Sequence, residues 1–136
     1  MVKPYFGRLL TAMVTPFYED GSVNYEAGCQ LADWLLANGT DTLLIEGSTG
    51  ESATLDLDEK IKFMETIVKH VNGRAQIVAG AGTNSTLSTI DLVKRMEACG
   101  VDGVLVVGPY YNKPTQEGYY QHFAACLLYT SPSPRD

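Results

Sequence analysis

DTLLIEGSTGES, residues 41–52, decides how this chain folds. An aliphatic run (Leu43, Leu44, Ile45) stops at Gly47, two hydroxyl residues follow, and a second glycine, Gly50, closes the segment. Continuous apolarity over so short a run, without alternation, marks a strand covered on both faces, as in a parallel sheet. AQIVAGAG (75–82) and DGVLVVG (102–108) repeat the pattern, each ending in glycine. RLLTAMVTPF (8–17) reads as an earlier strand of the same kind, ended by Pro16.

Helical periodicity fills the intervals. From Asn24 to Asn38, Leu31, Trp34 and Leu35 fall on one stripe, and Asn38-Gly39 is a stop signal. In the next helix Asp56 and Glu59 have the spacing of a capping box. Its apolar positions are Ile61, Met64, Ile67, Val68 and Val71, and Asn72-Gly73 ends it. A third helix spans about Ser85 to Cys99, with Ile90, Val93 and Met96 on one face; a fourth runs from Gln116 to about Ala125. The order is therefore β-α-β-α-β-α-β-α, with strand starts separated by roughly the 30 residues of a right-handed βαβ unit.

Two architectures use that order, an open doubly wound sheet and a (β/α)8 barrel. GAGTNS (80–85) has two glycines of a dinucleotide loop but Ser85 where the third belongs, and no phosphate-loop motif is present. The barrel is favoured. A whole barrel takes about 250 residues, so the expected fold is α/β, the N-terminal half (about four βα units) of a (β/α)8 TIM barrel.

Composition narrows the function classes. With 45% hydrophobic and 19% charged residues the chain is neither disordered nor fibrous. A net charge of −6, from 16 acidic and 10 basic residues, argues against a nucleic-acid partner, which calls for clustered Lys and Arg. No apolar run approaches the roughly 18 residues of a membrane span, and the opening residues lack the pattern of a secretory signal. Cys29, Cys99 and Cys126 form no CxxC pair, so neither a disulfide framework nor a metal site is expected, and a cytoplasmic location is the default. His70 and His122 read as surface or capping groups.

If the strands are parallel, their C-terminal tips open on one edge. Those tips carry Thr15, then Ser48 and Thr49, then Thr83 and Asn84, then PYYN (109–112). Glycines flanking Ser48 and Thr49 let backbone amides approach a ligand, while hydroxyls both donate and accept. That chemistry suits a carboxylate or a short proton relay. The same four residues also suit a tight strand-to-helix turn, and Tyr110 and Tyr111, taken alone, suit packing.

Together the motifs GSTGESATL (47–55), GAGTNST (80–86) and GPYYNKPTQEGYYQHF (108–123) resemble the dihydrodipicolinate synthase family, within the pyruvate-dependent class I aldolase and N-acetylneuraminate lyase superfamily. The likeness runs in order from about Gly7 to Ala125. GSTGE is shared with the neuraminate lyases, whereas ESATL followed by PYYNKPTQEG is more specific. The resemblance implies an enzyme that condenses pyruvate with aspartate-4-semialdehyde through a lysine Schiff base, with no cofactor, in lysine and diaminopimelate biosynthesis. It implies that Thr49, with Ser48, binds the pyruvate carboxylate. Ser48 and Tyr111 would belong to a proton relay, with Tyr111 reaching into a neighbouring subunit of a homodimer or homotetramer. It also implies an effector pocket for lysine near Ala53, Asn84 and Tyr110. There, Ser88 and Leu57 stand where lysine-sensitive members often carry Glu and His, so weak or absent lysine inhibition is expected.

The Schiff-base lysine and a second relay tyrosine belong to later strands and are expected to be absent from this chain. Lys60, Lys62, Lys69 and Lys94 fall on helices, Lys3 is terminal, and Lys113 follows the fourth strand. The chain alone is therefore expected to be inactive. Residues 1–125 read as the first half of the barrel. CLLYTSPSPRD (126–136) reads as a non-family tail, because spacing rejects Tyr129 and Arg135 as family residues. Two alternatives stay open: a sister aldolase acting on N-acetylneuraminate or a keto-deoxy sugar acid, and a non-catalytic fragment that associates with partner chains.

Overall fold

The structure, a computed structural model, describes residues 5–128. Four strands alternate with four helices: β1 (Leu10–Ala12), α1 (Tyr25–Ala37), β2 (Thr42–Ile45), α2 (Leu57–Val71), β3 (Gln76–Gly80), α3 (Thr86–Ala98), β4 (Gly103–Leu105) and α4 (Gln116–Leu127). All neighbours in the sheet are parallel and in sequence order, β1-β2-β3-β4. Leu43 pairs with Thr11 on one side and Ile77 on the other, and Ala79 pairs with Val104. The sequential parallel order is the one expected for a barrel.

The edge strands are shorter than their aliphatic runs. β1 occupies three residues of the expected 8–17. Ladder contacts extend it at both ends, with Asp41 N–H donating to Leu9 O (2.9 Å) and Met13 N–H donating to Leu44 O (2.9 Å). Beyond Met13 the chain leaves the sheet, and Phe17 makes an antiparallel bridge to Val23.

Local sequence sets the helix ends. The side chain of Asn24 accepts from Ala27 N–H (3.0 Å) to start α1. Asp56 accepts from Glu59 N–H (2.8 Å) while Glu59 accepts from Asp56 N–H (3.0 Å), the reciprocal capping box that opens α2. Asn72 at φ 47° and Gly73 at φ 75° end α2 in left-handed conformations. Asp33 of α1 takes hydrogen bonds from Arg74 (2.7 Å) and His70 (2.9 Å), which hold its carboxyl below the usual carboxylate range and tie α1 to the end of α2.

Of the expected α1 stripe, Leu31 and Leu35 pack partly buried against the core, and Trp34 does not. Trp34 is 62% exposed, and the buried positions are Gly28 and Ala32. At 100° per residue Trp34 sits about 200° round the helix from Ala32, so burying the small pair turns the indole outward. Gly28 is needed there: a Cβ would come within 2.6 Å of the Phe63 ring. Small residues let α1 lie close on α2, and the aromatic ring fills the gap.

One face of the sheet carries the core. Leu43 and Ile45 of β2, Ile77 and Ala79 of β3, Phe63, Met64, Ile67 and Val71 of α2, and Leu92, Val93 and Met96 of α3 are buried together. The opposite face is open at the edge strands, while Thr42 (0%) and Val78 (7%) of the central strands are buried. Leu10 (43%), Val14 (50%), Leu105 (51%) and Val107 (50%) expose apolar side chains that alternate with the core-facing ones. Removing the central aromatic tests this packing. Phe63→Ala is expected to lower the unfolding free energy by about 3–5 kcal/mol, read as a shift in urea denaturation followed by far-UV circular dichroism.

Candidate active site at the strand tips

Because every strand runs the same way, the C-terminal ends of β1–β4 share one edge. The segment after β2 folds back at once. Gly50 N–H donates to Gly47 O (3.1 Å), Glu51 N–H to Ser48 O (3.1 Å), and Ser52 N–H to Gly47 O (3.4 Å). Glu46 (φ 60°) and Glu51 (φ 54°) bracket the turn in the left-handed region, where side chains with a Cβ are rare. Such strain collects at functional sites, where surrounding contacts over-determine it.

Two contacts hold the turn down. The buried Thr15 hydroxyl donates to Gly50 O at 2.7 Å, anchoring it to the segment after β1. Gly50 itself packs on backbone, since a Cβ there would lie 3.1 Å from Met13 O and 3.2 Å from Glu46 N. Gly80 at the end of β3 leaves the room that the Glu46 carbonyl fills; an added Cβ would reach backbone there. With its backbone seated between glycines, the turn presents Ser48 and Thr49 outward, both exposed.

The β3 tip is a hydroxyl cluster. Thr83 Oγ1 lies 3.0 Å from Thr89 Oγ1 and donates to Ser85 O (2.9 Å), and Ser85 Oγ accepts from Ser88 N–H to cap α3. Asn112 Nδ2 donates to Asn84 O at 2.8 Å, joining the loops after β4 and β3. In the β4 loop Tyr111 stands at φ 68° and is 92% exposed, while Tyr110 is 51% exposed. An aromatic residue in strained backbone with its ring in solvent has no packing role among the described residues. Ala53 is exposed in the short 3-10 turn Ser52–Thr54 below the GSTG segment.

Sequence reasoning misplaced one group and overlooked another. His122, read as a surface group, is 2% exposed, because α4 packs it against α3, where Thr86 Oγ1 meets its Nδ1 at 2.9 Å. Glu46 was absorbed into the strand. It is 1% exposed, neither carboxylate oxygen has a hydrogen-bond partner among the described residues, and burial pushes its pKa up to about 8, partly offset by Lys60. In the sequence it looks like any acid that closes a strand, and nothing there separates it from a solvated turn residue.

Lys60, Lys62 and Lys69 lie on α2, Lys94 on α3, and Lys113 in the β4 loop at φ 48°; Lys3 lies outside the described residues. α4 continues through Cys126 and Leu127, two positions beyond the expected boundary, and Cys126 is buried. Tyr129, Arg135 and the rest of the expected tail lie outside the described residues. Among the described residues no helix is long and apolar enough to cross a membrane.

Residues 5–133 match the sequence pattern of the Dihydrodipicolinate synthetase family. A 4-hydroxy-tetrahydrodipicolinate synthase of Halalkalibacterium halodurans is 53% identical over 125 residues, covering 92% of this chain and 42% of the relative. The crystal structure of dihydrodipicolinate synthase from Bacillus anthracis superposes with a TM-score of 0.90 at 45% identity, covering 92% of this chain and 43% of that one. The enzyme from Acinetobacter baumannii, solved with pyruvate, gives 0.88 at 40% identity, covering 90% and 42%. The four βα units thus correspond to the N-terminal part of those TIM barrels, and the chain spans less than half the length of the relatives it matches.

Proposed function

The chain belongs to the dihydrodipicolinate synthetase family, and from that premise we propose that it is the N-terminal part of a lyase condensing pyruvate with aspartate-4-semialdehyde to 4-hydroxy-tetrahydrodipicolinate. The observation that carries the reading is the Gly47–Glu51 turn, which turns two exposed hydroxyls outward at the strand-tip edge. Thr49 and the adjoining amides receive the pyruvate carboxylate. A lysine supplied by the rest of the barrel condenses with the pyruvate carbonyl, releasing water and forming an imine. The imine acidifies the neighbouring methyl group, whose proton leaves to give the enamine carbon that adds to the aldehyde.

Ser48 and Tyr111 move protons in those steps. The exposure and strained backbone of Tyr111 support its contribution to a neighbouring subunit's site in a homodimer or homotetramer. The enzyme works in the cytoplasm. The 136-residue chain by itself, with no lysine on a strand end among the described residues, does not form the imine. Ser88 leaves the proposed lysine pocket around Ala53, Asn84 and Tyr110 without the Glu carboxylate for the effector's ammonium group, and Leu57 leaves it without the His.

The test uses the full-length protein with pyruvate and a panel of aldehydes. Turnover of aspartate-4-semialdehyde supports the reading; preference for N-acetylmannosamine or a sugar-acid aldehyde replaces it with a sister aldolase. Within that assay Thr49→Val keeps shape and removes the hydroxyl. A hydrogen bond to a charged group is worth about 1.5–3 kcal/mol, so the KM for pyruvate is expected to rise about 10- to 150-fold. An unchanged KM would remove Thr49 from the carboxylate site.

A further inference from the structure

Glu46 is a buried titratable group that the mechanism above does not use. Its position is unusual in three respects. It stands at the junction of β2 and the GSTG turn with φ 60°, and its backbone is wedged between Gly50 and Gly80. Its side chain is buried with both oxygens unpartnered among the described residues. An ionised carboxylate in that setting is costly, whereas the neutral acid is tolerated. We propose that Glu46 is a proton-dependent positioning residue: while it holds its proton, its buried side chain anchors the Gly47–Glu51 turn to the sheet, and its ionisation releases the turn together with Ser48 and Thr49.

The surroundings explain why ionisation acts on the turn. Lys60, at the start of α2, is the cation that favours the charged form, and it only partly offsets burial. The Cys99 thiol at the end of α3 also feels Glu46; burial, then Glu65, then Glu46 push that thiol up. Thr15, in the segment after β1, has its hydroxyl committed to Gly50 O, Gly80 of β3 has no side chain, and neither Glu46 oxygen has a partner among the described residues. An ionised Glu46 therefore has no partner in place and has to reach water. The shortest route is through the turn that follows it directly in the chain.

The linkage has a definite sign. An acid at about 8 in the closed turn, against an ordinary 4.5, favours closure fully below pH 4.5. That advantage is lost as pH rises toward 8 and levels off above it. Between those values each pH unit makes opening about tenfold easier.

The test is hydrogen–deuterium exchange by mass spectrometry on the full chain, corrected for the intrinsic pH dependence of exchange. Protection in the peptide spanning 46–52 is expected to fall about 50-fold from pH 6 to pH 8, the last step being halved because the acid is half ionised at pH 8, and to be flat in Glu46→Gln. Lys60→Met, which removes the favouring cation, is expected to carry the fall beyond pH 8; this variant decides the matter if Glu46→Gln does not fold. Equal slopes in wild type and Glu46→Gln, an unmoved plateau in Lys60→Met, or an equal fall in peptides from α1 and α3 would each overturn the proposal, the last by making Glu46 a determinant of global stability only. That the turn serves a keto acid rests on the function proposed above. Exchange requires no ligand, so failure to bind pyruvate leaves this result standing, and a flat profile leaves the proposed function standing.

Discussion

Tyr111→Phe in the full-length protein is expected to lower kcat by about 10²- to 10⁴-fold, the usual contribution of a positioned proton-transfer group. Phenylalanine keeps the ring and loses only the hydroxyl. Because Tyr111 is 92% exposed and its loop is held by Asn112 on Asn84 O, the substitution has no folding cost to confuse the reading. An unchanged Tm with a fallen kcat identifies the hydroxyl as a relay member; an unchanged kcat returns Tyr111 to a surface role. Sharing across subunits has its own signature. Randomly mixed Ser48→Ala and Tyr111→Phe protomers in a two-fold dimer place both defects in one site of each mixed dimer and leave the other site whole. About a quarter of wild-type activity then returns on mixing two nearly inactive proteins. No recovery would confine both residues to one chain.

The second large effect is an absence. The 136-residue chain, incubated with pyruvate and borohydride, is expected to show no reduced adduct by intact mass, whereas the full-length protein is modified once per chain. A desolvated, nucleophilic amine has to be arranged by its surroundings. The lysines on α2 and α3 lie on the helix layer, and Lys113 is exposed in the β4 loop. A trapped adduct on the short chain would move the nucleophile to one of these and dismantle the division of labour proposed here.

How far the fold was legible follows from the physics of each element. Continuous aliphatic runs, three ending in glycine and the first at Pro16, pointed to the four parallel strands, since a parallel sheet is built to be covered on both faces. Capping residues gave the helix ends: Asp56 and Glu59 form the reciprocal box that their spacing requires. Within the α1 stripe Leu31 and Leu35 do pack on the core, and only Trp34 was misread, because hydrophobicity was taken as the guide to burial. Close helix packing selected Gly28 and Ala32, and the Phe63 ring occupies the space an added Cβ at Gly28 would need. His122 was misread for a related reason. Its Nδ1 meets Thr86, a partner 36 residues away in the chain, while its buried Nε2 has no hydrogen-bond partner among the described residues.

For the proposed site the sequence offers the hydroxyls and not the contacts that support them. Ser48, Thr49 and Tyr111 announce themselves through glycines and paired tyrosines. Thr15 was readable as a strand-tip residue, but its bond to Gly50 O is a tertiary fact. Glu46 was hidden because a single acid at the end of a strand is ordinarily a solvated turn residue. Only the seating of the backbone against Gly80 shows that this one stays inside.

The most direct test is a crystal structure of the full-length protein after reaction with pyruvate. The expected result places the pyruvate carboxylate within about 3 Å of Thr49 Oγ1 and the neighbouring backbone N–H groups, with Ser48 Oγ turned toward a Tyr111 hydroxyl. A carboxylate bound elsewhere, with the GSTG turn facing only water, would contradict the assignment.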